Sequence, residues 1–352
     1  MKKMRLILTG SNDPYYNLAA EEYYLRNAEE DVFMLWQNTP VVVIGKNQNM
    51  YAEVKLDYTE ENGILVARRI TGGGAVYHDL GNVNYTFITS REKANVLDFE
   101  YFTRPVLKAL SGLGIEAALS GRNDLLAKVT DETRDPDGSP EAKPVFAKFS
   151  GNAMTATKER ILNHGTLLFD SDLTVLSKTL NPDAEKLRQK AIKSVRSRVT
   201  NLKPLVRDED GRPVAMETAD FFNYLVEFIE KEFSCVREEA DRTEILATGF
   251  YDRNRSEYYN AGRREAYSYE RRHRFPSGLV VVLWNEENGR MRNVRIEGDF
   301  FGKRDVSELS ELLAGSRAEK TSVREKLSGT DVSEFIDGVE TEAFLSLFSD
   351  LI

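Results

Sequence analysis

Three consecutive glycines, Gly72-Gly73-Gly74, stand between two stretches that read as β-strands, and they fix what the backbone can do there. Upstream, Gly63-Ile64-Leu65-Val66-Ala67 is a short apolar run. Downstream, Asn82 to Ile88 alternates polar and apolar residues with the period of a strand. Lacking Cβ atoms, the intervening turn can be tight and can approach a ligand closely. Arg68 and Arg69 lie just before the glycines and His78-Asp79 just after them. That combination suits a phosphate-bearing ligand, although a bare glycine triplet is also at home in a flexible hairpin. The turn joins strand to strand and no Gly-Lys-Ser/Thr follows, so it is neither a P-loop nor a dinucleotide-binding turn.

The 352 residues, 41% of them apolar, are enough for a full core and point to two domains. A net charge of −9 argues against a general nucleic-acid binder. The single cysteine, Cys235, excludes an internal disulfide framework and any multi-cysteine metal site, and it fits a reducing, cytoplasmic setting. No apolar stretch has the length of a membrane span. The N-terminal MKKMRLILTG has too short an apolar run for a signal peptide and reads as a first strand.

Asn12-Asp13-Pro14 is a helix start. Strands are expected at Val32 to Trp36, Val41 to Ile44 and Leu65 to Arg68, with a short helix between Lys55 and Asn62. A helix from about Phe99 to Leu113 leads to strands near Ile115 to Leu119 and Asp124 to Val129. The acidic, proline-bearing segment Thr130 to Pro144 reads as a mobile excursion between strands. Strands resume at Val145 to Ala156 and Ile161 to Phe169, and Ser171-Asp172 caps a helix through Leu180. Thr218 to Phe233 is an amphipathic helix with Phe221, Phe222, Leu225, Phe228 and Ile229 on one face. Glu238 to about Tyr259 is charged and weakly periodic and reads as an interdomain connection. A strand–turn–strand unit (Leu279 to Trp284, Met291 to Ile296) and helices at Val306 to Leu313 and near Thr341 to Leu347 complete a small α+β unit.

Three further fragments carry chemistry. Lys148-Phe149-Ser150-Gly151-Asn152-Ala153 places a lysine among apolar residues, where it either snorkels or meets a phosphate or carboxylate. Gly121-Arg122-Asn123-Asp124 puts a carboxylate at a strand entrance, a place for Mg²⁺ beside phosphates or simply a turn. Asn163-His164-Gly165-Thr166 holds one histidine in a strand, a pattern shared by catalysts and ordinary core residues.

Taken in chain order (the glycine turn, Gly121 to Asp124, Lys148 to Ala153, then Asn163 to Thr166), the four fragments resemble the lipoate–protein ligases of the biotin/lipoate ligase superfamily. Asn17-Leu18-Ala19, Pro40 to Asn49 and Lys193 to Leu202 extend the resemblance over Leu8 to Leu202. Arg274-Phe275-Pro276-Ser277-Gly278 and Gly298-Asp299-Phe300-Phe301-Gly302 look like the family's C-terminal accessory domain. The resemblance implies an α+β fold of mixed sheets with flanking helices, with a catalytic domain over 1–245 and a small α+β accessory domain over 246–352. It implies an enzyme that activates lipoate with ATP and Mg²⁺ to lipoyl-AMP and passes the lipoyl group to a carrier lysine. The carriers would be E2 subunits of 2-oxoacid dehydrogenases and the glycine cleavage H protein, and the enzyme a monomer acting without nucleic acid or membrane.

By the family pattern Lys148 is catalytic and contacts the lipoyl carbonyl and the adenylate phosphate. Arg69, Gly73, Gly74, Ala75, Val76, Tyr77, His78, Asn84, Asn123, Asp124, Gly151 and Ala153 would surround the nucleotide, with Asp124 at Mg²⁺, and His164 and Gly165 would lie against the lipoyl chain. Octanoyl transferases of the same superfamily instead use a cysteine thiolate, and Cys235 lies outside every motif. Where many relatives carry a W-x-x-G-K-S-P element, this chain has Ser256 to Arg264. The arginine- and tyrosine-rich run Arg253 to Arg274 reads as an exposed strand pair and linker.

Overall fold

The computed structural model describes residues 4–130, 144–181, 199–262 and 266–349. Residues 131–143 of the acidic segment and 193–198 of the basic run lie outside the described residues. Fourteen strands are assigned: β1 Arg5–Leu8, β2 Val32–Trp36, β3 Val41–Ile44, β4 Leu65–Arg68, β5 Val76–His78, β6 Asn82–Ser90, β7 Ala117–Ser120, β8 Asp124–Thr130, β9 Pro144–Ala156, β10 Arg160–Leu168, β11 Arg237–Glu239, β12 Tyr269–Phe275, β13 Gly278–Glu287 and β14 Arg290–Gly298.

The fold is the expected α+β arrangement of mixed sheets. Eight strands run in the order β11-β1-β2-β6-β10-β9-β8-β7, parallel at β11-β1-β2 and antiparallel from β2 onward. The central strands β2 and β10 are buried at every position and β6 at all but its last, because both sheet faces are covered. Phe33, Leu35, Val83, Tyr85 and Phe87 meet the helices Phe99–Ser111 and Thr218–Phe233 on one face. Met34, Trp36, Ile88 and Leu162 meet helix Pro14–Asn27 and the second sheet, β4-β3-β5, on the other. Helix Pro14–Asn27 begins as its sequence dictates: the Asp13 carboxylate accepts from the amides of Tyr15 and Tyr16, and Pro14 fills the first turn.

The structure corrects three sequence readings. The glycine turn does not lead straight to the strand at Asn82. It leads to the short β5, which pairs antiparallel with β3, while β6 belongs to the large sheet. Three residues carry too little periodicity to be read as a strand. The stretch from Glu238 to about Tyr259, read as an interdomain connection, carries regular structure: β11 adds to the edge of the large sheet, and the helices Arg242–Ala247, Phe250–Arg255 and Glu257–Ala261 follow. Ile245, Phe250 and Tyr251 pack with the core under helix Pro14–Asn27, contacts too distant in sequence to leave a pattern. Finally, the arginine- and tyrosine-rich run holds, among its described residues, one exposed strand rather than a pair: β12 joins the C-terminal hairpin and is exposed from Tyr269 to His273, whereas Phe250–Arg255 and Glu257–Ala261 are helical.

The β12-β13-β14 sheet carries its own core of Trp284, Phe300, Phe335 and Phe344 beneath the helices Val306–Leu313, Lys320–Lys326 and Thr341–Leu345. The contacts that dock this unit onto the first include two beside the glycine turn and the Gly121–Asp124 turn. The amide of Gly73 donates to the carbonyl of Phe300 (3.1 Å). Arg122 reaches Asp337 (2.9 Å) and the Ser277 carbonyl (2.9 Å) with its guanidinium over the Phe301 ring, 4.7 Å from the centroid.

Candidate active site

A cavity of about 720 Å³ opens between the glycine turn, the strands β6, β8, β9 and β10, and the accessory unit. Of the residues singled out from sequence, Arg69, Gly73, Gly74, Ala75, Val76, His78, Asn84, Asn123, Asp124, Lys148, Gly151, Ala153, His164 and Gly165 line it. Tyr77 does not; its side chain turns into a cluster with Val42, Ile44 and Met50, because strand alternation sends it opposite to Val76 and His78. Arg68 also faces away. It is buried, its pKa drawn down to about 10 by desolvation, and its guanidinium donates to the carbonyls of Gly45, Lys46, Gln48, Tyr259 and Asn260. Asn260 in turn accepts from the Arg68 amide (2.8 Å). Arg68 therefore clamps the Ser256–Gly262 region to the loop after β3.

Lys148 is aimed into the cavity by an irregularity that sequence did not disclose. Asp124 pairs with Gly151 and Leu126 with Lys148, so β9 has one more residue than β8 over this span. This bulge brings Lys148 and Gly151, three apart, onto the same side. Phe149 is left to the core. The Lys148 ammonium lies 2.6 Å from an Asp124 carboxylate oxygen, both about one-third exposed. A Cβ on Gly151 would lie 3.4 Å from the Lys148 nitrogen, an ordinary contact, so Gly151 sits directly beside that ammonium. On the neighbouring turn Asn123 donates to the Asn152 carbonyl (2.7 Å) and accepts the Asn152 amide (2.9 Å), locking the Asp124 corner onto β9.

The glycine turn is held by Arg69, which donates to Thr71 Oγ1 (2.9 Å) and to the carbonyls of Val43 (3.0 Å), Gly72 (2.7 Å) and Gly74 (2.7 Å). Desolvation lowers its pKa to about 10, opposed by the Glu21 carboxylate. At the far wall His78 is neutral: desolvation pulls its pKa from the usual 6.5 to about 3, helped by His164 and Arg69. Its Nδ1 accepts from the Asn38 amide (3.1 Å), whose oxygen is engaged by Asn17 (2.8 Å), so the proton sits on Nε2. As pH falls, the unfolded chain takes up this proton first, so stability present above about 6.5 is lost progressively towards about 3. The unfolding temperature of His78→Gln is expected to fall less steeply over that window than the wild type's. Parallel curves would contradict a buried neutral imidazole.

Sequence reasoning missed the accessory-unit residues in the cavity wall, notably Arg274, Ser277, Asp299 and Phe301, together with Trp36 from β2. The motifs that hold the first four were legible, but their meeting with the glycine turn depends on docking across the chain.

Residues 13–230 match the model of the lipoyl protein ligase A/B catalytic domain, and residues 264–348 that of the bacterial lipoate protein ligase C-terminus. The lipoate-protein ligase LplJ of Bacillus subtilis is 36% identical over 346 residues, spanning 96% of this chain and 97% of its own. The chain belongs to the lipoate–protein ligase family. Over its whole length this ligase shares its fold with P. falciparum LipL1 in complex with lipoate (TM-score 0.73, 22% identity, 97% of each chain). A lipoate-protein ligase A bound with ATP matches 74% of this ligase and 99% of its own chain (TM-score 0.54, 25% identity). Among the ligase's described residues no helix is long and apolar enough to cross a membrane.

Proposed function

We propose that this ligase joins lipoate to AMP in the cavity around Lys148 and then passes the lipoyl group to a carrier lysine. The observation that carries the reading is the convergence of Lys148, Asp124, Asn123 and the glycine turn on one cavity. A lipoate carboxylate oxygen attacks the α-phosphorus of ATP, and the bond to the bridging oxygen breaks, releasing pyrophosphate. Lys148 supplies the positive charge for the phosphoryl and carbonyl oxygens as negative charge shifts onto them. In transfer the carrier's ε-amine attacks the carbonyl carbon, the bond from that carbon to the phosphate oxygen breaks with its electron pair going to AMP, and the amine loses a proton.

Mg²⁺ fits as a substrate-borne ion. Among the described residues no three His, Cys, Asp or Glu side chains form a metal cluster, and Mg²⁺ beside nucleotides needs only one or two carboxylates plus phosphate oxygens. Asp124 would be that carboxylate, and the ion would offset polyphosphate charge. The carriers we propose are E2 lipoyl domains and the glycine cleavage H protein, with a cytoplasmic monomer as the acting form. We propose the same site roles for Arg69, Gly73, Gly74, Ala75, Val76, His78, Asn84, Gly151 and Ala153 around the adenylate, and His164 and Gly165 beside the lipoyl chain.

A thioester route lacks support, since Cys235 is buried at the end of helix Thr218–Phe233 and does not line the cavity. The test is lipoylation of an apo lipoyl domain with free lipoate, read by intact mass. The expected outcome requires ATP and is unchanged within about twofold by Cys235→Ala. Modification without ATP, or its loss in that variant, would contradict the reading.

A further inference from the structure

A carboxylate, an imidazole and a hydroxyl stand in line behind the cavity. Glu21, on helix Pro14–Asn27, lies 2.9 Å from His164 Nδ1, and His164 Nε2 lies 2.9 Å from Thr71 Oγ1. Glu21 also accepts from the Thr86 hydroxyl, which accepts from the Trp36 indole (2.9 Å). At the other end Thr71 Oγ1 accepts from Arg69 Nε (2.9 Å). One proton arrangement satisfies every member: the Thr71 hydroxyl donates to His164 Nε2, and His164 Nδ1–H donates to Glu21.

Carboxylate, imidazole and hydroxyl in this order also describe an acyl-transfer triad. Burial decides against a nucleophile. Thr71 is fully buried and, like Glu21, does not line the cavity, so no acyl carbonyl reaches its oxygen. What the chain does reach is Arg69, whose other donors hold the carbonyls of Gly72 and Gly74. Glu21 is also the carboxylate that favours the charged form of this desolvated guanidinium.

We infer that Glu21, His164 and Thr71 form a buried positioning relay that orients Arg69 and, through it, sets the glycine turn for the nucleotide. The inference rests on reading the cavity as the adenylation site. Glu21 and Thr71 touch no substrate, so they are positioning residues.

The test measures lipoyl-AMP formation by the full-length enzyme, with KM for ATP and for lipoate determined separately. Thr71→Val keeps the side-chain shape and removes the hydroxyl; it is expected to raise KM for ATP about tenfold, the scale of one charge-assisted hydrogen bond. KM for lipoate should rise clearly less than KM for ATP, since His164 beside the lipoyl chain keeps one of its two partners, and Thr71→Ser should restore wild-type behaviour. Glu21→Gln should mimic Thr71→Val, and the double variant should be less impaired than the product of the two effects, because both break one chain. If Thr71→Val does not fold, Glu21→Gln against Thr71→Ser carries the same comparison. Unchanged KM for ATP, or equal rises in both KM values that track a lowered unfolding temperature, would overturn the relay. A lipoyl ester on Thr71 of the wild type would overturn it in favour of the triad. Failure of the wild type to make any lipoyl-AMP would remove the site reading itself, a result distinct from a wild type that works beside unimpaired variants.

Discussion

Lys148→Ala is expected to lower lipoyl-AMP formation by about a thousandfold or more, while the folded state persists. The ammonium is the cation that the β9 bulge turns towards Asp124. Removing it takes away the charge that meets the phosphate and also leaves Asp124 unpaired, facing incoming phosphates with like charge. The two effects act together, so the loss should exceed that of deleting a neutral donor. Lys148→Arg should recover little, since a planar fork does not replace a compact point charge beside Asp124. Because the side chain is about one-third exposed, the unfolding temperature should move little. A Lys148→Ala enzyme that forms the adenylate at the wild-type rate would remove Lys148 from the mechanism.

Gly73→Val is expected to reduce adenylation about a hundredfold through backbone strain and steric conflict together. Gly73 has φ +86°, a conformation that β-branched side chains avoid, and a Cβ there would lie 2.8 Å from the Phe301 ring. The turn would then give way at two places, the carbonyls held by Arg69 and the amide that donates to Phe300. Adding Phe301→Ala should relieve the contact but not the φ strain, so recovery should be partial. Full activity in Gly73→Val would mean that the turn's shape does not matter to the nucleotide. Gly72 makes the same point from the other side, since its Cβ would lie 2.5 Å from the Phe300 carbonyl oxygen. The glycines thus serve the docked accessory unit as well as the cavity.

Local signals made much of this molecule legible. The strands at Val32, Val41 and Leu65 and the helices at Pro14 and Thr218 follow from periodicity and caps, and they occur where those signals place them. The candidate site was legible as ordered motifs, and most of their residues meet in one cavity. What escaped depends on partners far along the chain. Arg68 and Arg69 look equivalent in sequence, yet one clamps Tyr259 and Asn260 while the other props the glycine turn. The Phe149 bulge needs the register of β8, and the wall built by Ser277 and Phe301 needs two units in contact. Thr71 and Glu21 gave no local sign of acting together because they lie far apart in the chain and meet only through a histidine from β10.

On the proposed chemistry the cavity makes lipoyl-AMP from free lipoate and ATP without a covalent enzyme intermediate. Lipoate-dependent exchange of labelled pyrophosphate into ATP by the purified wild type, with no carrier present, tests it most directly. Exchange should require lipoate and disappear in Lys148→Ala. Lipoylation of a carrier that proceeds with no exchange and no ATP would contradict it.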